Sequence, residues 1–391
     1  MNRVIVFDSH PVQYKAPVYQ ELEKIHPGRF KVLYATDCSV RGYRDKEFGQ
    51  TVAWDASLLE GYESRILNLE RGVPLSGFRS LSGKGVCAAL RKEAPRALLI
   101  SQFLYEADFA ALLAARKLSV PVAIRHETQD EALPRAKWKS YVRSAVYRLV
   151  YSQVNRAFYI GELNRRHLLR HGFHPEQLTR APYCVPNPFE RMPLEEKTRV
   201  RQERRNILGL NESHFVVLFS GKLIPKKNPK LVLDAVKQLP MELQRKTTVL
   251  FMGSGELDEE LRKEVFELGG SVKFLGFIKQ SSLAENYLAA DVVVLPSRRM
   301  GETWGLVVNE ALQAGCGVVM TDAVGCHAEF GSWGRVRVIP EGNAGTCASA
   351  LAELSTFERS FDWCANSMQR YSVRAAAEAI ASAYPEGGTL S

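Results

Sequence analysis

The sequence predicts an α/β protein of two domains, each built on a doubly wound parallel sheet. The 391 residues exceed what one hydrophobic core usually holds, so about two domains are expected. Short, wholly apolar runs alternate with amphipathic helical stretches, a pattern typical of parallel strands covered by helices on both faces. A segment rich in proline and charge, 185–214, separates the two alternating regions.

The predicted elements follow one another regularly along the chain. The first half opens with the strand VIVFD at 4–8 and the helical pattern APVYQELEKI, and its later β-rich runs are KVLYAT, ALLISQF, VPVAIRHE and RAFYIG. The second half continues with the strands FVVLFSGK, TTVLFMGSG, SVKFLGFI, DVVVLP and GVVMTD. Ligands of such folds bind beyond the carboxyl ends of the strands, so polar residues there are the functional candidates.

Composition limits the classes of protein that the chain can belong to. Hydrophobic residues make up 46% and charged residues 24%, as in globular proteins. No apolar run is long enough to span a bilayer, and the start lacks the core of a signal peptide, so we expect a cytoplasmic protein. Seven cysteines without a C-x-x-C spacing argue against a disulfide framework and a structural zinc site.

The positive charge of the chain is unevenly distributed. The net charge is +9, and residues 1–189 hold 28 Lys and Arg against 18 Asp and Glu. This asymmetry suggests an anionic partner such as nucleic acid, a phosphorylated substrate or a membrane surface, although a generic basic surface would look the same.

Segment 135–151 interleaves basic and aromatic residues. Its basic members are Arg135, Lys137, Lys139, Arg143 and Arg148, and its aromatic members are Trp138, Tyr141, Tyr147 and Tyr151. A helix of this kind could lie on the anionic inner face of a membrane, or it could pack on the core with a solvated basic face. No recognised nucleic-acid-binding module accompanies the charge, so nucleic acid is not expected as a partner.

Two glycine-containing loops follow strands of the second half. Gly221 permits a tight turn after the strand 215–220, and Lys222 and Lys227 follow as a candidate clamp for a diphosphate, or as a solvated lysine cluster. In MGSGEL the G-x-G pattern resembles a dinucleotide fingerprint, but Asp258 stands where the third glycine would be. A nicotinamide site is therefore disfavoured, and Gly253 is expected to let a loop pass close to a ligand or the sheet.

The stretch PSRRMGETWGLVVNEALQAG places two carboxylates around a helix start. Glu302 precedes a helix predicted to begin near Trp304 and Gly305, while Glu310 lies inside it. The backbone N–H groups of Thr303 to Leu306 would be unpaired by the helix and suited to an anion. The two carboxylates would accept hydrogen bonds from sugar hydroxyls; alternatively, they are ordinary charges flanking a helix.

Further candidates lie in the first half. His126 ends a predicted strand and could hydrogen-bond a sugar hydroxyl or transfer a proton, although a single histidine is often structural. The loop DSHPVQYKAP lacks a glycine-rich phosphate signature, and His10, Gln13 and Tyr14 suit a ligand rich in hydroxyl groups instead.

Together these motifs resemble the retaining glycosyltransferases of family 4, which have the GT-B fold of two Rossmann-like domains facing across a cleft. The resemblance is carried by FSGKLIPKKN, VLFMGSGEL, VKFLGFIKQSSLAENYLAADVVVLPS and GETWGLVVNEALQAGCGVV, in that order, and more loosely by IRHET and YCVPNPF in the first half. It implies an acceptor-side domain at 1–190, with a C-terminal helix at about 372–385 packed back on it, and a nucleotide-sugar-binding domain at 191–371.

The resemblance also implies roles for individual residues. Lys222 and Lys227 would hold the donor diphosphate, Glu302 and His126 would meet the donor sugar, and Glu310 would bind the ribose. The nucleobase would meet the strand end at Gly276, Phe277 and Ile278. The family usually has Arg in place of Lys222, a glycine-rich first loop and Pro in place of Gly317, so this chain departs from the pattern at three positions.

The expected activity is metal-independent transfer of a sugar from a nucleoside-diphosphate sugar to a carbohydrate or lipid-linked acceptor. The pathway would be glycolipid, lipopolysaccharide or polysaccharide biosynthesis. No D-x-D metal motif is present, and the two lysines would take the role of a metal ion. The alternatives are a GT-B phosphorylase or epimerase, and a catalytically silent subunit that binds sugar nucleotides.

Overall fold

The chain folds around two large parallel sheets, as the sequence predicts. The computed structural model describes residues 3–40, 43–45, 50–52, 58–67, 75, 77–265 and 271–385. Strand order is β5-β2-β1-β6-β7-β8-β9 in the seven-stranded sheet and β12-β11-β10-β13-β14-β15 in the six-stranded sheet. All strand pairs in both sheets are parallel, and β3 and β4 form a separate antiparallel pair.

The strands of the first half are β1 (Val4–Asp8), β2 (Phe30–Tyr34), β3 (Tyr43–Asp45), β4 (Gln50–Val52), β5 (Ser64–Ile66), β6 (Ala97–Ile100), β7 (Val122–Ile124), β8 (Arg156–Tyr159) and β9 (Leu178–Arg180). Its helices are α1 (Ala16–Ile25), α2 (Val86–Glu93), α3 (Glu106–Lys117), α4 (Lys137–Tyr151) and α5 (Glu162–Arg170).

The strands of the second half are β10 (Phe215–Ser220), β11 (Thr247–Met252), β12 (Ser271–Gly276), β13 (Val292–Leu295), β14 (Gly317–Thr321) and β15 (Val336–Ile339). The remaining helices are α6 (Leu194–Ile207), α7 (Lys230–Val236), α8 (Met241–Lys246), α9 (Asp258–Val265), α10 (Leu283–Ala289), α11 (Leu306–Gln313), α12 (His327–Phe330), α13 (Ala344–Leu354), α14 (Ala365–Met368) and α15 (Val373–Ser382).

The central strands are apolar on both sides because both sides of each sheet are covered. Every residue of β10 and of β11 is buried, which explains why their sequences read as continuous hydrophobic runs instead of alternating ones. Strands β5, β9 and β15 lie at sheet edges and are absent from the sequence-based prediction. Their short sequences, with charged or polar residues included, carry little hydrophobic periodicity.

The last helix returns to the first half of the chain. Helix α15 packs on α1, and its Ala376 and Ile380 belong to the same apolar cluster as Val4 and Val18. The Ser372 hydroxyl accepts a hydrogen bond of 3.1 Å from the Ala375 amide at the start of α15, which satisfies one unpaired donor of the helix.

A continuous apolar cluster also joins the two halves. It includes Ile160 and Tyr183 of the first half and Trp304 and Phe330 of the second. The Trp304 ring fills the space above Gly161, where an added Cβ would lie 2.4 Å from the ring. The two halves therefore contact each other through packed side chains, several of which lie beyond the carboxyl ends of strands, as Ile160 does after β8 and Trp304 after β13. None of the helices in the described ranges combines the length and hydrophobicity needed to span a bilayer.

Candidate functional site

A cavity of about 220 Å³ lies between the first loop of the first half and the carboxyl ends of β10, β11 and β12. It is lined by Gln13, Tyr14, Val185, Pro186, Ser220, Gly221, Met252, Gly253, Phe277, Ile278, Lys279, Gln280, Leu283, Leu306, Val307 and Glu310. The fold thus brings together eight residues that the sequence predicts as site candidates, namely Gln13, Tyr14, Gly221, Gly253, Phe277, Ile278, Leu306 and Glu310.

Two glycines allow the loops under this cavity to approach each other. Gly221 and Gly253 have φ angles of 144° and 147°, and a Cβ on Gly253 would lie 1.8 Å from the Gly221 carbonyl oxygen. The Gly253 amide also donates a hydrogen bond of 2.8 Å to the carbonyl oxygen of Gly276, at the end of β12. No side chain can replace the hydrogen of Gly253 without moving the neighbouring backbone.

Glu310 projects from the second turn of α11 into the cavity. Its carboxylate accepts a hydrogen bond of 2.5 Å from the Tyr287 hydroxyl, and Gln280 also hydrogen-bonds to it. The Ser220 hydroxyl lies 3.0 Å from the same Tyr287 oxygen. Burial raises the pKa of Glu310, and the hydrogen bonds from Tyr287 and Gln280 partly oppose that rise.

Glu302, which is buried, forms an ion pair with the half-buried Lys227. The Lys227 ammonium and the Ser297 hydroxyl both donate to Glu302 Oε2, the hydroxyl over 3.1 Å. Burial opposes ionisation of Glu302, but the charge and hydrogen bond of Lys227, helped by Lys226, outweigh it and lower the pKa. A cation and an anion are therefore held together beyond the end of β13.

The loop between β13 and α11 is fixed from several sides. Lys226 Nζ donates a hydrogen bond of 3.0 Å to the Gly301 carbonyl. Gly305 has a φ angle of 101°, and a Cβ there would lie 2.7 Å from Val324. Helix α11 begins at Leu306, as the sequence predicts to within two residues. The Trp304 side chain is buried and donates 2.8 Å to Asn309, so only the backbone of Trp304 could meet a ligand here.

Lys222 lies directly after Gly221, on the loop that follows β10, and its carbonyl accepts a hydrogen bond of 3.0 Å from the Ile224 amide. The same loop carries Lys226 and Lys227. The three lysines of KLIPKK therefore occupy one loop beside the cavity, and two of them contact the segment that contains Glu302.

His126 is buried at the end of β7, and both of its ring nitrogens are engaged. Nδ1 accepts a hydrogen bond of 3.1 Å from the Thr128 amide, and Nε2 lies 3.0 Å from the Tyr151 hydroxyl. Burial lowers the pKa of His126 to about 3, so the ring is neutral at physiological pH. A sugar hydroxyl could bond to it only by replacing one of these two partners.

The residue after His126 reaches across to the second half. Glu127 accepts a hydrogen bond from the Tyr183 hydroxyl and another, of 3.3 Å, from Thr303 Oγ1.

In the first loop, His10 pairs with the Ser9 hydroxyl through a contact of 2.8 Å, and burial lowers the pKa of His10 to about 4. Tyr14 packs edge-on against Tyr183 with ring centroids 5.4 Å apart.

Several residues around Glu310 are not among the candidates that the sequence predicts. They are Tyr287, Gln280 and Ser220. Ser220 could have been found because it adjoins Gly221 at a strand end. Tyr287 reads as one apolar position of a helix, and nothing in the sequence shows that its hydroxyl reaches a carboxylate 23 positions away.

Helix α4 divides the basic and aromatic segment between two faces. Trp138, Tyr141 and Leu149 are 65%, 75% and 69% exposed. Tyr151, in contrast, is buried, and Tyr147 stacks on it with centroids 5.2 Å apart. Tyr147 and Tyr151 therefore pack against the histidines of the first half, as in the core-packed alternative, whereas Trp138 and Tyr141 remain exposed.

Within the described ranges, the donor atoms of Asp130, His167 and His171 converge closely enough to hold a metal ion. Arg143 Nη1 lies 2.6 Å from Asp130 Oδ1, and Arg170 lies 3.8 Å from Oδ2. These guanidinium groups already supply positive charge where a metal ion would bind. None of the three residues lines the cavity.

Two family models match the chain. Residues 200–370 match glycosyl transferases group 1, and residues 55–184 match the glycosyl transferase 4-like domain. The two matches lie in different halves of the chain and include β10 to β15 of the second half.

Individual relatives are similar over shorter stretches. The chain is 32% identical over 170 residues to an uncharacterized glycosyltransferase of Methanocaldococcus jannaschii, covering 41% of each protein. It is 31% identical over 136 residues to phosphatidyl-myo-inositol mannosyltransferase of Mycolicibacterium smegmatis, covering 34% of each. The matched region is thus less than half the length of these relatives.

A solved structure is similar over almost the whole chain. HepE of Anabaena, in complex with UDP, has a TM-score of 0.71 at 17% identity, over 97% of this chain and 98% of that one. At this identity the similarity establishes a common arrangement of the two sheets and their helices.

Proposed function

Because this chain belongs to the family 4 glycosyltransferases and has their GT-B fold, we propose that it transfers a sugar from a nucleoside-diphosphate sugar to a hydroxyl acceptor, with retention of anomeric configuration. The observation that carries the proposal is the cavity in which Glu310 and the strand end at Phe277 and Ile278 face the loops of Gly221 and Gly253. The Lys227 and Glu302 pair supplies charge beyond the end of β13.

In the proposed donor complex the nucleoside occupies this cavity. Glu310 accepts hydrogen bonds from the ribose hydroxyls, since an ionised carboxylate is a strong acceptor for them. The backbone and side chains at Gly276, Phe277 and Ile278 contact the base. The structure of HepE bound to UDP and another bound to UDP-glucose support a uridine nucleotide as the first donor to examine.

The diphosphate lies between the lysines and the start of α11. Lys222 and Lys227 neutralise the charge that develops on the leaving phosphate, and the amides of Thr303 to Leu306 add the partial positive charge of a helix N-terminus. Lys227 then exchanges its contact with Glu302 for the phosphate. This releases the Glu302 carboxylate to accept hydrogen bonds from the donor sugar. We propose that no metal ion is needed.

Bond breaking gives the donor sugar oxocarbenium character, and the acceptor hydroxyl attacks from the face that the diphosphate leaves. The acceptor's proton passes to an oxygen of the departing phosphate, so configuration is retained without a protein nucleophile. Fixed cations and backbone amides lower the barrier because they face the developing negative charge without reorganising. His126 remains neutral throughout.

For the acceptor we propose a carbohydrate or lipid-linked alcohol at the inner face of a membrane, as in glycolipid, lipopolysaccharide or polysaccharide biosynthesis. The exposed Trp138, Tyr141 and Leu149 on α4 lie beside basic side chains such as Lys137 and Lys139. Aromatic and basic groups on one helix face suit an anionic lipid surface, which would also concentrate a lipid-linked acceptor. Nucleic acid is not proposed as a partner.

The test begins with thermal melting of the purified protein against UDP, GDP, ADP and their sugars, since a ligand of the native state raises Tm. The sugar nucleotide with the largest shift is then supplied with candidate acceptors, with and without EDTA, and the product's anomeric configuration is read by NMR. Retention and indifference to EDTA are expected. Binding without turnover under any condition, or an inverted product, would contradict the proposal.

A further inference from the structure

A loop of the first half contacts the loop that carries Glu302. We call residues 127–132 the bridging loop and residues 299–303 the donor loop. The Gly301 amide donates a hydrogen bond of 2.7 Å to the Ala132 carbonyl, and Arg299 Nη1 donates one of 3.2 Å to the Glu131 carbonyl. Thr303 Oγ1 donates to Glu127 over 3.3 Å. The donor loop is therefore held from the opposite half at positions on both sides of Glu302.

The bridging loop is itself fixed by one face of α5 and the residue that follows this helix. Asn164 donates a hydrogen bond of 2.7 Å to the Thr128 carbonyl. His167 Nδ1 lies 2.9 Å from Asp130 Oδ1, and His171 Nε2 lies 3.2 Å from Oδ2. Spacings of three and four residues place these three side chains along one face, since they are neighbours on a helix surface.

The hydrogen bonds around Asp130 also determine where the protons are. Thr128 N–H can only donate, so His126 Nδ1 carries no proton, and the neutral ring must carry it on Nε2. His126 therefore donates to the Tyr151 oxygen, and Tyr151 donates its single proton to His167 Nε2, 2.9 Å away. His167 then carries its proton on Nδ1 and donates to Asp130.

In this series of hydrogen bonds, every donor points towards Asp130. The charge of Asp130 is balanced by Arg143 at 2.6 Å. His126, Tyr151, His167 and His171 are all buried. Burial opposes ionisation of Asp130, but the hydrogen bonds from the two histidines outweigh it and hold its pKa well below the usual range. Breaking one link leaves a buried polar group without its partner, which costs more than the bond itself contributes.

We propose that Asp130, His167 and Tyr151 are positioning residues that hold the bridging loop, and through it place Glu302 of the donor loop from across the cleft. None of the three lines the nucleotide cavity, so their effect is on the sugar-handling carboxylate and not on the nucleoside. The consequence for catalysis rests on the proposed function, whereas the physical link between the two loops does not.

Two variants interrupt this series of hydrogen bonds at different residues. Tyr151→Phe removes the hydroxyl between His126 and His167 and keeps the ring. Asp130→Asn removes the negative charge at which the series ends. Tyr384→Phe is the matched control, because Tyr384 is equally buried but belongs to the separate apolar cluster that contains Val4 and Val18. Should Asp130→Asn fail to fold, Tyr151→Phe still tests the proposal.

The deciding measurement is hydrogen exchange of the full-length protein, followed in peptides that cover 298–306. Faster exchange there in Tyr151→Phe and Asp130→Asn, with the Tyr384→Phe rate unchanged from wild type, is the expected result, because the Gly301 amide loses its fixed acceptor. Exchange that accelerates only within 126–171, with 298–306 as in wild type, would overturn the proposal.

A second measurement concerns the reaction. With the sugar nucleotide that gives the largest Tm shift, kcat is expected to fall by about tenfold to a hundredfold in both variants, since misplacing a catalytic group has effects of this size. The Kd of the free nucleoside diphosphate is expected to stay at its wild-type value. An equal loss of nucleotide affinity would show a general structural defect and overturn the positioning role. A wild-type protein that turns over no sugar nucleotide would instead count against the proposed function.

Discussion

The Tyr287 hydroxyl donates a hydrogen bond of 2.5 Å to the Glu310 carboxylate, joining α10 to α11 beneath the cavity that Glu310 lines. Tyr287 is fully buried, so its hydroxyl has no access to bulk water. The carboxylate that we assign to the ribose is thus held in place by a residue that a ligand cannot touch. This relationship leads directly to two predictions about Glu310.

Tyr287→Phe is expected to weaken nucleoside diphosphate binding by about tenfold, which is a loss of about 1.4 kcal/mol. Without the donor, burial raises the pKa of Glu310 further, so affinity should also begin to fall at a higher pH than in wild type when the pH is lowered. Calorimetric titration at a neutral and at an acidic pH measures this. Tyr147→Phe, which removes a hydroxyl outside the cavity, serves as the control, and wild-type affinity of Tyr287→Phe at both pH values would contradict the prediction.

Glu310→Gln is expected to weaken nucleotide binding while making the ligand-free protein more stable at neutral pH. Because the folded-state pKa of Glu310 is raised, ionising it in the native state costs free energy. That cost is absent below the unfolded pKa of about 4.3 and fully present above the raised folded pKa. Melting at about pH 7.5 should show a Tm increase on the order of 1–3 °C, and the increase should disappear towards about pH 4. A lower Tm at neutral pH would contradict the prediction.

Lys227→Ala is expected to reduce kcat/KM by about a hundredfold or more, the size seen when a preorganised charge at a reacting centre is lost. The variant also leaves Glu302 buried without its cation, which raises the pKa of Glu302 from its lowered value. Wild-type Glu302 contributes stability above its unfolded pKa and loses it as pH falls, whereas the variant should lack this contribution throughout. Lys237→Ala, at the exposed end of α7, provides the comparison, and equal activity of the two variants would refute the role of Lys227.

Gly253→Ala is expected to lower the free energy of unfolding by at least about 2 kcal/mol, because its φ of 147° is unsuited to alanine and the new Cβ would meet the Gly221 carbonyl at 1.8 Å. Gly334→Ala is the matched substitution, since a Cβ there meets nothing within 4 Å, and it should change stability by less than about 0.5 kcal/mol. Urea unfolding measures both. Similar effects at the two glycines would show that the close approach of the loops is not needed.

Trp138→Ala combined with Tyr141→Ala is expected to reduce flotation with vesicles containing anionic phosphatidylglycerol. Both rings are largely exposed on α4, and in the proposed membrane-bound state they would enter the lipid interface. Ile207→Ala and Met241→Ala remove apolar groups that are 73% and 63% exposed elsewhere, and flotation of these controls should match wild type. Flotation that does not depend on anionic lipid would contradict a membrane role for the basic side chains around them.

The sequence shows which candidate residues share one loop or one helix start. Gly221, Lys222 and Lys227 follow one strand, and Glu302 and Glu310 flank one helix start, so their residue types and short spacings are visible in order along the chain. The same holds for the buried strands β10 and β11, whose apolar runs are continuous because both faces are covered. The edge strands β9 and β15 were not predicted, since three or four residues with mixed polarity carry no clear period.

The sequence alone therefore determined the order of the strands and helices and the types of side chain that follow each strand. Only the tertiary structure decided which of those ends meet: Tyr287 with Glu310, Lys227 with Glu302, and the bridging loop with the donor loop. The tertiary structure also places Tyr147 and Tyr151 in contact with His167. The physical reason is that local propensity and hydrophobic period act over a few residues, whereas these contacts join residues 16 to 176 positions apart and depend on how the sheets and helices pack.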